Sequence, residues 1–117
     1  MLVIADDLIW SSRLMVAVER AGAIGHTLRS LDQLADRLVV RAAASTVIVD
    51  LAGREFDGVA AVRLAASSGA TVLAIGQHED TELRRRALAA GARRVLSYNK
   101  LYADGPQVVA TLLAGRY

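Results

Sequence analysis

The sequence has no cysteine and no long apolar run. Without cysteine the chain can form neither a disulfide framework nor a thiolate metal site. No stretch is apolar over the roughly 20 residues that a membrane-spanning helix needs. The first residues also lack the basic lead of a secretory signal peptide. We therefore expect a cytoplasmic protein without membrane attachment.

Aromatic residues are scarce as well, at 4% of the 117 residues, although 54% of the chain is hydrophobic. The core must therefore consist mainly of Ala, Val, Leu and Ile, a mixture that suits helices packed closely on a buried sheet. A chain of this length can form one good core. No linker, repeat or low-complexity segment divides it, so we predict a single domain over residues 1–117.

Lysine occurs only once, as Lys100, and arginine supplies the other positive charges of a chain whose formal net charge is +2. Arg84, Arg85 and Arg86 are consecutive, and Arg93 follows closely. Such a cluster can mark a surface for nucleic acid or for an acidic partner, although it is also typical of a solvated helix face. No helix-turn-helix pattern or aromatic stacking motif accompanies it, so we do not expect nucleic-acid binding.

Five short apolar segments alternate with five segments of helical spacing. Continuous Val/Ile/Leu runs are typical of parallel strands that are covered on both faces. Glycines stand where the helices should end, and the only proline, Pro106, stands where the last helix should begin. The repeated alternation predicts an α/β fold, a doubly wound (βα)5 parallel five-stranded sheet. The predicted strands are residues 2–5, 24–28, 46–49, 71–75 and 94–97.

Each predicted helix has apolar residues on one face. These residues should be buried against the sheet. They are Ile9, Leu14, Val18 and Ala21; Leu31, Leu34 and Leu38; Val59, Val62 and Ala66; Leu83, Ala87 and Ala90; and Val108, Val109, Leu112 and Leu113.

Acidic residues follow the first and end the third of these strands. They are Asp6 and Asp7 after the first and Asp50 on the third. Ligand sites in parallel α/β sheets form outside the carboxyl ends of strands, and Mg²⁺ prefers carboxylate oxygens. We therefore expect an acidic pocket that can bind Mg²⁺. The structural alternative is that Asp7 caps the first helix and that Asp57-Gly58 makes a turn.

These spaced residues resemble the receiver (CheY-like) domain of response regulators, the phospho-accepting module of two-component signalling. The resemblance rests on Asp6-Asp7, on Asp50, on Asp57-Gly58 and on Gly91-Ala92 before the last strand. It implies a flavodoxin-like sheet with strand order 2-1-3-4-5.

The resemblance also assigns roles to residues. It implies that Asp50 accepts a phosphoryl group from a donor such as a histidine kinase. Asp6, Asp7, Asp50 and the Ala52 carbonyl would then surround Mg²⁺.

The sequence departs from the family at the positions that operate its switch. The fourth strand of the family ends in Ser or Thr, where this chain has Gly76. The family's phosphoryl-binding lysine corresponds to Tyr98, and its rotating aromatic residue corresponds to Val95. Lys100 lies two residues past the expected place, about 6.6 Å along an extended chain. It either substitutes for the missing lysine or is a surface residue.

The chain is therefore predicted to be an atypical, degenerate receiver. A charge-assisted hydrogen bond to a phosphoryl group contributes on the order of 1.5–3 kcal/mol, and a near-complete two-state shift needs about 5.5 kcal/mol. Losing both the hydroxyl and the lysine removes much of that. We expect a signalling or regulatory interaction module, not an enzyme, with an impaired phosphorylation switch.

Two other functions remain open. The first is a working phospho-accepting receiver of a phosphorelay, with Asp50 as the acceptor. The second is a Mg²⁺-dependent phosphohydrolase with Asp50 as the nucleophile. Phosphatases of that type place a second acid two residues later, where this chain has Ala52.

Receiver domains commonly use the fourth helix, fifth strand and fifth helix to form dimers or to bind targets. In this chain the resemblance places Arg84, Arg85, Arg86, Arg93 and Tyr98 on that surface. We expect it to contact an acidic protein partner or a second copy of the chain.

Overall fold

The structure, a computed structural model, describes residues 1–41 and 46–117. Within these residues, strands and helices alternate along the chain. They are β1 (Leu2–Ile4), α1 (Leu8–Arg20), β2 (His26–Leu28), α2 (Leu31–Arg41), β3 (Thr46–Asp50), α3 (Gly58–Ser67), β4 (Thr71–Gly76), α4 (Thr81–Ala90), β5 (Arg94–Ser97) and α5 (Tyr98–Leu113). None of the described helices is both long and apolar enough to cross a membrane.

The strands form one parallel sheet in the order β2-β1-β3-β4-β5, which confirms the predicted fold class and strand order. The second strand is shorter than predicted, because β1 begins at Leu2 and pairs it with His26. Ile24 therefore lies outside the sheet and is exposed. β3 ends on Asp50, the acid expected at its end, and β4 extends one residue further than predicted, to Gly76.

The core lies in two layers, one on each face of the sheet. Successive strand residues point to opposite faces, and residues of the central strands alternate between the two layers accordingly. Each fully buried Val, Leu or Ile contributes about 1.5–3 kcal/mol. Helices α2, α3 and α4 cover the layer that contains Ile4, Val47, Val49 and Val72, and helices α1 and α5 cover the layer that contains Val3, Ile48, Leu73 and Ile75.

Most of the predicted helix faces pack against the sheet, but the predictions for Ile9 and Leu113 are wrong. Both side chains are exposed. Ile9 lies five residues, about 140° around the helix, from the buried Leu14, and Leu113 is the last residue of α5.

The last helix begins earlier than Pro106 predicts. Its first residue is Tyr98, and the Ser97 side chain caps it by accepting the backbone N–H of Lys100 at 3.1 Å. The helical path is interrupted at Asp104, where φ is −128° and ψ is 27°. Pro106 lacks the N–H that a continuous helix would use. The proline therefore follows a kink inside α5, and the extra turns before it position Tyr98.

The predicted helix-ending glycines, Gly22, Gly69, Gly91 and Gly115, all have positive φ. Gly91 also lies where two helices approach closely, since a Cβ atom there would be 2.5 Å from the Cβ of Ala66 in α3.

We expect Gly91→Ala to lower the free energy of unfolding by more than Gly22→Ala does. Both changes place alanine in the left-handed region, which costs about 1–2 kcal/mol. Only the first also collides with Ala66, since a Cβ at Gly22 meets nothing within 4 Å. Urea unfolding of the two variants measures the difference. Equal losses would show that α3 and α4 are not in close contact at this point.

Candidate functional site

The three acids predicted from the sequence meet at one edge of the sheet. β1 and β3 are neighbours, with Ile4 paired to Val49, so Asp6 and Asp7 follow β1 beside the end of β3. Both lie close enough to Asp50 to help raise its pKa by electrostatic repulsion. The edge is therefore acidic.

Asp50 is the one charged residue buried among those that the structure describes, with 2% of its surface exposed. Its Oδ1 atom accepts two hydrogen bonds, one from the Tyr98 hydroxyl and one from the Ala52 N–H at 3.0 Å. Burial raises the pKa of Asp50 above its ordinary value, although both hydrogen bonds act in the opposite direction. Its Oδ1 atom is thus already supplied with donors, whereas Oδ2 has no hydrogen-bond partner among the described residues and is not fully buried.

Tyr98 reaches this carboxylate from the first turn of α5. Burial, together with the hydrogen bond to Asp50, raises the pKa of the Tyr98 hydroxyl, which therefore remains a protonated donor. By its resemblance to the family, Tyr98 stands at the position of the phosphoryl-binding lysine, and we expected its side chain on the surface that contacts partners. That placement is wrong, because the side chain is buried. A neutral donor occupies the place where the resemblance implies a cation.

An aromatic column connects the buried site to the surface; we use this name for Tyr98, Trp10, Arg13 and Tyr102. The ring centroids of Trp10 and Tyr98 are 4.4 Å apart, at an interplanar angle of 39°. The Arg13 guanidinium lies 5.0 Å from the centroid of Trp10 and 4.9 Å from that of Tyr102. Arg13 and Tyr102 were not among the predicted site residues. The i, i+3 spacing of Trp10 and Arg13, which makes them neighbours on the helix surface, could have indicated the contact between these two.

Asp6 and Asp7 bind backbone groups. The Asp6 Oδ2 atom accepts the N–H groups of Arg54 and Glu55, both at 2.6 Å, and so holds the loop after β3. The Asp7 Oδ1 atom accepts the N–H groups at the start of α1 at 2.9 and 3.1 Å. Asp7 thus makes the cap that the structural alternative describes.

Asp57 has the same kind of role. Its carboxylate accepts the Ala60 N–H at 3.1 Å and caps α3.

In this arrangement the acids do not form a ready-made metal site. No group of three or more His, Cys, Asp or Glu side chains in the described parts of the chain could hold one. Asp6, Asp7 and Asp50 each direct an oxygen to protein donors instead. Mg²⁺ binding by these residues and by the Ala52 carbonyl therefore stays a prediction.

The structure pairs Lys100 with Asp104, with 2.9 Å between Nζ and Oδ2, on the exposed side of α5. Lys100 could substitute for the missing lysine only if the chain from residue 98 to residue 100 were extended. Residues 98–100 are helical instead, which turns Lys100 about 200° away from Tyr98 around the axis. Lys100 is therefore the surface residue of the two alternatives.

Two other switch positions are buried. Gly76 ends β4, and a Cβ atom there would meet only the Leu51 side chain, at ordinary contact distances of 3.4 and 3.7 Å. Space therefore exists for a small side chain. Val95 lies on β5 in the core layer under α2, α3 and α4.

The arginines form a basic face, by which we mean Arg84, Arg85, Arg86 and Arg93. All four are exposed. Arg85 forms an ion pair with Glu82 at 2.6 Å, and the Arg93 Nε donates to the backbone oxygen of Tyr117 at 3.1 Å.

No protein-family model matches the sequence, and no curated protein is significantly similar to it. Solved structures do match. A response regulator protein from Burkholderia pseudomallei, with a phosphorylated aspartic acid and a calcium ion, superposes with a TM-score of 0.74 at 19% identity over 96% of this chain and 64% of that one. The chain has the receiver-domain fold.

Two further receiver proteins agree. NtrX from Brucella abortus matches with a TM-score of 0.77 at 19% identity over 98% of this chain, which spans 28% of that protein. The beryllofluoride-activated NtrC4 receiver domain dimer matches with a TM-score of 0.79 at 17% identity, over 99% of this chain and 97% of that one. At these identities the likeness shows the fold alone, and roles of residues rest on this chain's own geometry.

We expect Tyr98→Phe to lower the free energy of unfolding by about 1.5–3 kcal/mol, because it removes a donor from a buried carboxylate. Tyr102→Phe is the control, since that tyrosine is exposed and the ring is kept. Denaturant unfolding of both variants at neutral pH measures the effect. Equal stability of Tyr98→Phe and the native protein would contradict a structural hydrogen bond between Tyr98 and Asp50.

The raised pKa of Asp50 makes its contribution to stability depend on pH. Between the ordinary value of 3.8 and the raised value, the folded state holds the proton more tightly than the unfolded state does. The contribution is therefore greatest below 3.8 and declines as the pH rises through this window. We expect Asp50→Asn to gain stability relative to the native protein across the same window. Parallel pH profiles of unfolding free energy would contradict this.

Proposed function

We propose that this chain is a cytoplasmic regulatory module that acts through protein contacts, without enzymatic activity, and that Tyr98 keeps Asp50 from serving as a phosphorylation switch. The observation that supports this most directly is the hydrogen bond from the Tyr98 hydroxyl to the buried Asp50 carboxylate.

A phosphoryl acceptor needs a carboxylate oxygen that a donor can reach. Asp50 is almost fully buried, and its Oδ1 atom already accepts two hydrogen bonds. Freeing Oδ1 to attack a phosphoryl donor would break a hydrogen bond to a charged carboxylate, and such a bond contributes about 1.5–3 kcal/mol. Burial also favours the protonated form of the carboxyl group, as its raised pKa indicates, and that form is the weaker nucleophile.

The product of phosphorylation would also be poorly stabilised. A phosphoryl group brings about two negative charges to an edge that already has Asp6 and Asp7. Tyr98 offers a neutral hydroxyl, and Lys100 is paired with Asp104. Gly76 has no side chain to donate a hydrogen bond.

The basic face supports a protein partner that carries acidic residues. Three of its arginines are spread around the solvent-exposed sides of α4, and the fourth, Arg93, directly precedes β5 and is also exposed. Such a charged patch attracts a partner of opposite sign and speeds association. A receiver fold that is known as a dimer, that of NtrC4, matches nearly the whole chain, so association through protein contacts is compatible with this architecture.

Amide NMR spectra with Mg²⁺, and then with Mg²⁺ plus beryllofluoride, test the proposal. We expect no response to beryllofluoride beyond that to Mg²⁺ alone. A beryllofluoride response that spreads from Asp50 to residues 83–98 would establish a working phospho-receiver and overturn the proposal. The Mg²⁺ step independently tests the predicted metal ligands.

The double variant Gly76→Ser/Tyr98→Lys should gain the response that the native protein lacks. It restores a hydroxyl where a Cβ atom has room and places a cation beside Asp50. Gly76→Ser alone is the control and should stay unresponsive, because Tyr98 still occupies the carboxylate. A native protein that responds as strongly as the double variant would show that Tyr98 does not block the site.

A further inference from the structure

A groove of about 260 Å³ lies between α1 and α5. Its exposed rim contains Arg13, Val16, Arg20 and Tyr102, which we call the groove face. The face combines apolar surface with two positive charges. It is separate from the basic face on α4.

Helix α2 presents a second exposed stripe, formed by Asp32, Asp36, Val39 and Val40, which we call the α2 face. These residues are spaced i, i+4, i+7 and i+8 and therefore share one side of the helix. Val39 is 87% exposed and Val40 is 76% exposed. The buried residues of α2, Leu34 and Leu38, point to the core.

The charges of these two faces are not neutralised within the molecule. The described residues form two ion pairs, Arg85 with Glu82 and Lys100 with Asp104, and neither belongs to the groove face or the α2 face. Nor can the faces meet within one chain, because α2 packs on one side of the sheet and α1 and α5 pack on the other.

We propose that the α2 face of one copy docks on the groove face of a second copy. Asp32 and Asp36 would approach Arg13 and Arg20, and the two valines would cover Val16 and Tyr102. The two faces are similar in length, since the rise along the helix axis from Asp32 to Val40 is about 12 Å and that from Arg13 to Arg20 is about 10.5 Å. The contact goes beyond the proposed function and does not depend on the state of Asp50.

The contact joins two different surfaces, so it is head-to-tail. Each pair of chains leaves one groove face and one α2 face unoccupied, and further copies can add until a ring closes or a filament grows. This behaviour distinguishes the contact from a symmetric dimer, which stops at two copies.

Charge reversal separates the two halves of the contact. Arg20→Asp alters only the groove face, and Asp36→Arg alters only the α2 face. Each variant alone should self-associate about tenfold more weakly or worse, because an attractive pair becomes repulsive. In an equimolar mixture both contacts between unlike variants again pair opposite charges at positions 20 and 36, so the mixture should associate about as strongly as the native chain, with the two variants alternating. Sedimentation velocity over a concentration series measures this.

Two further variants complete the test. The double variant Arg20→Asp/Asp36→Arg should regain self-association, because the reversed charges are again complementary. It also shows that neither change prevents folding. Arg86→Asp, on the basic face, should self-associate like the native chain even if it loses an acidic partner, so failure of the proposed function is distinguishable.

Native chains that stay monomeric across the series, association that neither single change weakens, or a mixture that associates no more strongly than either variant alone would each overturn the head-to-tail contact.

Discussion

Burial of a carboxyl group at the end of the central strand β3 is the constraint on which the site depends. A buried polar group that lacks a hydrogen bond costs several kcal/mol, so Asp50 requires donors from nearby elements. Ala52 provides one from the loop after β3, and Tyr98 provides the other from the start of α5. The second donor requires α5 to begin at Tyr98, well before the proline that would otherwise mark its start. The packing of Trp10 against the same ring then fixes α1 beside α5.

The identity of this donor matters for the chemistry of the site. A lysine at the same position would stabilise added negative charge, whereas a tyrosine hydroxyl satisfies the unmodified carboxylate and offers no net charge. The neighbouring carboxylates of Asp6 and Asp7 also accept hydrogen bonds from within the protein. Their donors are backbone N–H groups of the loop after β3 and of the start of α1. The acidic edge of the fold is therefore organised as a set of internal hydrogen bonds. A metal ion or a phosphoryl group at this edge would have to use the remaining carboxylate oxygens or compete with the hydrogen bonds that hold the loop after β3 and the start of α1.

Periodicity and glycine placement were sufficient to predict the parallel sheet and most of the core, because burial on both faces leaves a continuous apolar signal in each strand, and the resemblance to receiver domains supplied the strand order. They could not predict the role of Tyr98. Comparison by position identifies only a missing lysine, while the hydroxyl's reach to Asp50 depends on where α5 begins. Lys100 illustrates the same limit. In an extended chain its side chain would point to the same side as that of Tyr98, but residues 98–100 are helical, so it points away. The exposure of Ile9 followed from a rotation of only about 50° beyond a right angle from Leu14, which spacing alone does not resolve.

The aromatic column gives the buried site one physical link to the outside. Arg13 touches Trp10 on one side and Tyr102 on the other, and Trp10 packs on the ring that hydrogen-bonds Asp50. A cation held between two rings contributes about 0.5–1 kcal/mol per contact at an exposed site, so a molecule that displaces Arg13 changes the packing of Trp10 by a comparable energy. That is a sizeable part of the energy of one hydrogen bond to Asp50. The groove between α1 and α5 is thus connected by packed side chains, through Arg13 and Trp10, to the tyrosine ring whose hydroxyl hydrogen-bonds Asp50.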